Sequence, residues 1–162
     1  MKGQVHLLER TNFGGKVYRT DLREPEEILR EGFNPTGDFT AISNMLNNPS
    51  RNHGRDALVV AETLEGAIFY ATQGSLDPYF YEIDASDVGG VSLLENLVLN
   101  KEGMLAHLEV GPDGSLSDQT GLANRMHEAH LSFDDLKLQG RPIVPLGRLT
   151  KEVEHMRHIM NL

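Results

Sequence analysis

Apolar and polar residues alternate along the chain in short segments whose period switches between strand-like and helix-like spacing, the pattern of a small mixed domain. Residues 16–37, K-V-Y-R-T-D-L-R-E-P-E-E-I-L-R-E-G-F-N-P-T-G, read as strand, turn, helix and loop. Val17 and Tyr18 form a β-prone run that carries Arg19 inward. Pro25 opens a helix, because its fixed φ and missing N–H cost nothing in a first turn, and Gly32 closes it. Glu24, Glu26 and Glu27 complement the helix dipole at that start, and Arg30 does so near the end. Ile28 and Leu29 are expected to supply the buried edge, with Phe33 just past the glycine stop.

The remaining segments follow the same logic. Residues 1–15 carry Val5, Leu7 and Leu8 and end in Gly14 and Gly15; they read as a lead-in or a short strand, compatible with the cut edge of a larger protein. Residues 39–46 have helical spacing, with Phe39, Ile42 and Leu46 on one side. Residues 47–56 form a polar loop in which His53 is solvated. Residues 57–61 are a continuous apolar strand, and residues 62–72 switch to helical spacing with Thr63 as hydroxyl cap. Phe69 and Tyr70 on that helix read equally as core or as site residues. Residues 79–84 alternate as a strand, Gly89 and Gly90 break the chain, and residues 91–99 are mostly buried, with Glu95 and Asn96 as their polar side. G-P-D-G at residues 111–114 predicts a hairpin, and residues 117–124 form a polar segment. In residues 126–133, Glu128, His130 and Ser132 share one strand face and Ala129, Leu131 and Phe133 the other. Residues 147–162 are expected to hold a C-terminal helix, with Val153, Met156, Ile159 and Met160 at helical spacing.

Composition narrows the function. A chain of 162 residues with 39% hydrophobic content is expected to be one domain, 1–162, with a real core. Fifteen basic against 24 acidic residues, a net charge of -9, disfavour sequence-independent binding to nucleic-acid backbones or anionic membranes. No apolar run approaches a membrane span, and residues 1–10 lack the apolar core of a signal peptide. Without cysteine there is no disulfide, thiol nucleophile or cysteine metal site, which fits folding in a reducing cytosol or injection by a contact-dependent system. The pairs His127 with His130 and His155 with His158 are spaced like metal ligands but lack a carboxylate in a zinc pattern, and no metal is expected.

On spacing alone Arg19 is an ordinary edge-strand arginine. The order V-Y-R-T-D-L-R-E-P-E-E-I-L-R-E-G-F, however, closely resembles the opening motif of the cholera and pertussis toxin class of mono-ADP-ribosyltransferases, the Arg-Ser-Glu class, of which the chain looks like a divergent member. The likeness covers roughly residues 16–146 and is strongest at the front. It implies that Arg19 holds the NAD phosphates, a task that suits the rigid fork of a guanidinium. It implies further that Thr20, Asp21 and Arg23 complete this side of the NAD site, Asp21 and Arg23 bracing the loop, and that Tyr70 packs on nicotinamide. Three departures stand out. Val59, Val60 and Ala61 occupy the family's Ser-Thr-Ser, whose serine anchors the catalytic glutamate. Met45, beside Asn44, replaces a histidine of pertussis-like members. Met126 replaces the Gln or Glu that orients the acceptor.

A transferase of this class needs a glutamate beside the ribose, where charge develops as nicotinamide leaves. Family position implies Glu128, with His127 or His130 as a substitute base. The competing Glu152 and Glu154 read better as the solvated face of the C-terminal helix, flanked by Lys151 and Arg157. The implied fold is α+β: two packed, mostly antiparallel sheets with short flanking helices and an NAD cleft between them. The implied activity is NAD-dependent transfer of ADP-ribose to a target macromolecule, by a bacterial toxin or effector that is secreted or injected and acts in the target cell's cytosol. Its partners are NAD as co-substrate, the target, protein or nucleic acid, and an immunity protein, with no membrane. The alternatives are a catalytically inactive protein-binding module of the same fold and an NAD glycohydrolase.

Overall fold

The structure, a computed structural model, describes residues 9–10, 12–34, 37–38, 56–74, 76–99, 125, 127–132, 135–136 and 142–160. The helix expected over residues 39–46 with Asn44 and Met45, the loop with His53, the hairpin at residues 111–114, the segment 117–124 and Met126 lie outside the described residues. In chain order the elements are β1 (Glu9–Arg10), β2 (Lys16–Asp21), α1 (Pro25–Glu31), β3 (Gly37–Asp38), β4 (Asp56–Ala61), α2 (Leu64–Thr72), β5 (Tyr79–Asp84), β6 (Gly90–Ser92), α3 (Leu93–Leu99), β7 (Glu128–Ser132), β8 (Ile143–Gly147) and α4 (Thr150–Ile159). The architecture is α+β, and the strand pairs among the described residues are all antiparallel.

Local signals account for most of these boundaries. Pro25 stands first in α1, and Gly32 ends it at φ 75° while its N–H donates to the Ile28 carbonyl at 2.7 Å. Thr63 caps α2 through an N–H···O bond from Gly66 at 3.0 Å. Ile28 is fully buried, but Leu29, expected beside it in the core, is 57% exposed, because a seven-residue helix lying on a sheet turns only one narrow stripe inward. The expected break holds at Gly89, which lies between β5 and β6, but not at Gly90, which begins β6, the strand that runs into α3. Residues 143–147, not read as a strand from sequence, form β8 on the outer side of β5, where Pro145 is tolerated because an edge strand leaves one row of N–H groups unpaired. The C-terminal helix begins at Thr150 rather than 147, after Leu149 in a left-handed turn at φ 49°.

The strands run in the order β1-β6-β7-β4-β2-β5-β8, with β3 on β4. Where two sheets are expected, the described strands form one hydrogen-bonded path that is almost divided. β2 pairs with β5 through six residues and β4 with β7 through five, whereas β2 meets β4 only at Tyr18 and Ala61. On one side of the sheet Val17, Leu58, Val60, Tyr81, Ile83, Ala129 and Leu131 pack with Ile28 and Phe33. On the other, Ala61 and Phe80 pack under α2 (Ala67, Ile68, Ala71) and Val153 of α4.

The β6–β7 contact is closely fitted. A Cβ on Gly90 would lie 2.2 Å from the His130 carbonyl oxygen and 2.9 Å from the Phe13 ring. Gly90→Ala is therefore expected to force backbone apart and destabilise the domain by about 1–3 kcal/mol. Thermal unfolding of the variant should show a melting temperature several degrees lower; an unchanged one would mean that the two strands are not in this register.

Candidate functional site

The groove lies where β2 and β4 part. Beyond the Tyr18–Ala61 pair the two strands no longer bond to each other, and the opening has a volume of about 810 Å3, within the range of ligand pockets. Its walls include Arg19, Thr20 and Asp21 of β2, Val59 and Ala61 of β4, Tyr70 of α2 and Glu128 of β7. By sheet register Glu128, Ala61 and Tyr18 belong to one face, and Arg19 with Tyr81 to the other. The parting of the strands lets one groove take side chains from both faces.

Arg19 spans the gap. Its Nη1 donates to the Val59 carbonyl at 2.7 Å, so a side chain bonds to a carbonyl on the strand that β2 has left. Its guanidinium carbon lies 5.5 Å from the centroid of the Phe33 ring, which in turn meets Tyr81 edge-on at 5.5 Å. Nε of Arg19 is buried with no hydrogen-bond acceptor among the described residues. Burial pulls the guanidinium pKa below its ordinary value, and the nearby Asp21 carboxylate partly opposes that. The positive charge of Arg19, a residue that lines the open groove, favours an anion there.

Asp21 lines the groove while Arg23 does not. Arg23 turns back: its Nε and Nη2 each donate to Asp21 at 3.2 Å, its backbone N–H donates to Asp21 Oδ1 at 2.9 Å, and its carbonyl accepts from the Tyr81 hydroxyl at 2.8 Å. Burial alone would raise the Asp21 carboxyl, but the Arg23 bonds and charge outweigh it and hold the group below the usual carboxylate range. Burial also pushes the Tyr81 hydroxyl up to about 12, so it stays a donor. Arg23 thus braces the β2–α1 turn through Asp21 rather than contributing to the groove wall. Tyr70 also lines the groove and is 46% exposed, whereas its neighbour Phe69 is buried in the core.

Glu128 opens β7 and is 9% exposed. The turn before it is held by two bonds from the residues that follow β4. His127 adopts φ 55°, its carbonyl accepts from the Glu62 N–H at 2.9 Å, and its Nδ1 lies 2.6 Å from the Thr63 hydroxyl. Glu62 in turn accepts a hydrogen bond from the Ser92 hydroxyl. His130, at 1% exposure, has its Nε2 3.1 Å from Glu128 Oε2. Neither histidine lines the groove, so the structure places neither as a base that touches a substrate. The Glu62–Ser92 contact joins residues 30 apart in the chain, and no local signal marks it. Glu152 and Glu154 are exposed on α4, with Glu154 2.7 Å from Arg157, and neither reaches the groove. Among the described residues no group of three or more His, Asp or Glu is placed to hold a metal ion.

The folded Asp21 carboxyl is depressed, so its contribution is present above the ordinary aspartate pKa and is lost as pH falls through the lower folded value. Wild type is expected to exceed Asp21→Asn in stability by about 1 kcal/mol at neutral pH. Denaturant titrations at stepped pH should show that gap closing below about pH 4. A gap that persists unchanged into strong acid would contradict the pairing.

Residues 12–80 match the model of a family described as pertussis toxin, subunit 1. That span runs from the segment before β2 into β5, so it contains Arg19, Thr20, Asp21, Arg23 and Tyr70 and ends before Glu128. No curated protein matches the chain, and no solved structure does. Over this first part the chain is similar to an ADP-ribosyltransferase toxin subunit.

Proposed function

We propose that the protein is an NAD-dependent mono-ADP-ribosyltransferase of toxin or effector type, with the ADP-ribosyltransferase fold and its NAD in the groove between β2 and β4. The observation that carries this reading is the presence of Arg19 and Glu128 in the walls of one groove. The match of residues 12–80 to the pertussis toxin subunit 1 family supports the same reading from the front of the chain.

In this mechanism Arg19 and Thr20 hold the diphosphate, Asp21 and Arg23 keep the turn rigid, and Tyr70 stacks on the nicotinamide ring. The bond between ribose C1′ and the nicotinamide nitrogen breaks, and its electron pair leaves with neutral nicotinamide. Positive charge then spreads over C1′ and the ring oxygen. The Glu128 carboxylate, held in a mostly buried position, stabilises that charge and accepts a hydrogen bond from a ribose hydroxyl. A nucleophile of the acceptor adds to C1′ and gives up its proton to solvent. The acceptor is a macromolecule of a target cell, reached by secretion or injection, and a cognate immunity protein is a further partner. Met126 offers no acid–base group to orient an acceptor, which favours water as a second acceptor and an NAD glycohydrolase as the second reading.

NAD labelled in its adenylate half, incubated with protein and cell lysate, should transfer label to a macromolecule and release nicotinamide. Label on nothing but free nicotinamide released would select the hydrolase, and NAD left intact would reject both. Glu128→Gln should lower turnover about 100-fold or more with NAD binding retained. Arg19→Ala should weaken NAD binding by about 10- to 100-fold in calorimetry. Equal loss of binding in both variants would remove the assigned division of labour.

A further inference from the structure

Glu128 sits on a strand whose flanking positions offer it little. Directly across the ladder from Glu128 stands Ala61, a methyl group, and His130 lies between Val59 on β4 and Val91 on β6. Ser132, the next residue on that face, has its hydroxyl turned to the Asp135 N–H at 3.3 Å. Among the described residues the hydrogen-bond partner of the Glu128 side chain is His130, Nε2 to Oε2 at 3.1 Å.

Resting on the transfer reading above, we propose that His130 is the positioning residue of Glu128. Strand alternation puts residues two apart on one face, so the imidazole lies behind the carboxylate rather than beside a substrate. An ionised carboxylate only accepts hydrogen bonds, so Nε2 carries the proton in this pair. The last torsion of a glutamate is soft, and one fixed oxygen sets the carboxylate plane. The other oxygen is left to face the sugar. The backbone that carries the imidazole is closely held. β7 is paired on both sides, and the His130 carbonyl packs against Gly90 so closely that no side chain fits there. At 1% exposure His130 touches no substrate and acts only through Glu128.

The bond orients a charge needed as nicotinamide departs, so its loss should appear in turnover and not in NAD affinity. His130→Leu is expected to lower kcat by about 10- to 100-fold while KM for NAD stays within about twofold. His130→Gln, which keeps an N–H donor at the reach of Nε2, should recover most of that loss. Circular dichroism melts of both variants establish that they fold. Wild-type kcat in His130→Leu, or the same loss in folded Leu and Gln variants, overturns the proposal. A second measurement needs no activity: nitrogen-15 spectra of the His130 ring should show Nε2 protonated, with a resonance that moves in Glu128→Ala. Nε2 unprotonated, or unmoved, overturns the proposal as well. NAD left intact by the wild type would sink the transfer reading alone, since the ring spectrum decides the Glu128–His130 bond without NAD.

Discussion

The groove exists because β2 and β4 are held together at Tyr18 and Ala61 and nowhere beyond, and because Arg19 reaches across the opening they leave. A sheet continued through that seam would place Arg19 and Glu128 on opposite faces, with the backbone ladder between them. The parted strands leave main-chain groups without their ladder partners, and buried main-chain groups need partners. The arginine satisfies one of them, the Val59 carbonyl, while keeping its own positive charge at the groove.

That arrangement carries a cost which the surrounding residues offset. A guanidinium held largely out of water loses hydration, which is why its pKa falls. The Phe33 ring beneath it, the Asp21 carboxylate nearby and the carbonyl bond recover part of the loss, and the unmet Nε is the remainder. The same economy holds at Glu128, whose carboxylate is mostly buried and tied by one bond from His130. The two ionic groups of the site stand on different halves of the sheet, so their relative position depends on the Tyr18–Ala61 pair and on the Arg19–Val59 bond that join the halves.

The family match and the groove divide the chain differently. Residues 12–80 contribute the cationic side and the aromatic rim, and β7, far later in the chain, supplies the acid. The turn before β7 is bonded to the end of β4 through Glu62, Thr63 and His127. Those contacts hold the acidic wall to the strand that carries the Val59 carbonyl, so Arg19 and Glu128 are both referenced to β4.

Local physics made much of this legible from the residues alone. Pro25 and Gly32 bound α1, Thr63 caps α2, and residues 79–84 alternate as β5, because first-turn proline, left-handed glycine, hydroxyl capping and two-residue periodicity act within a few positions of chain. The β-prone run of Val17 and Tyr18 likewise carries Arg19 inward, and the structure sets it in the groove wall. Other features depended on residues brought together from far apart. The edge strand β8 has no alternation and contains Pro145, so nothing local marks it. Leu29 turned out exposed because α1 offers one stripe to the sheet. Above all, the parting of β2 from β4, the lone tie at Tyr18 and Ala61, and the shared groove of Arg19 and Glu128 come from long-range pairing. Strand spacing assigns each side chain a face, but which strands separate, and therefore which faces meet, is set by tertiary packing.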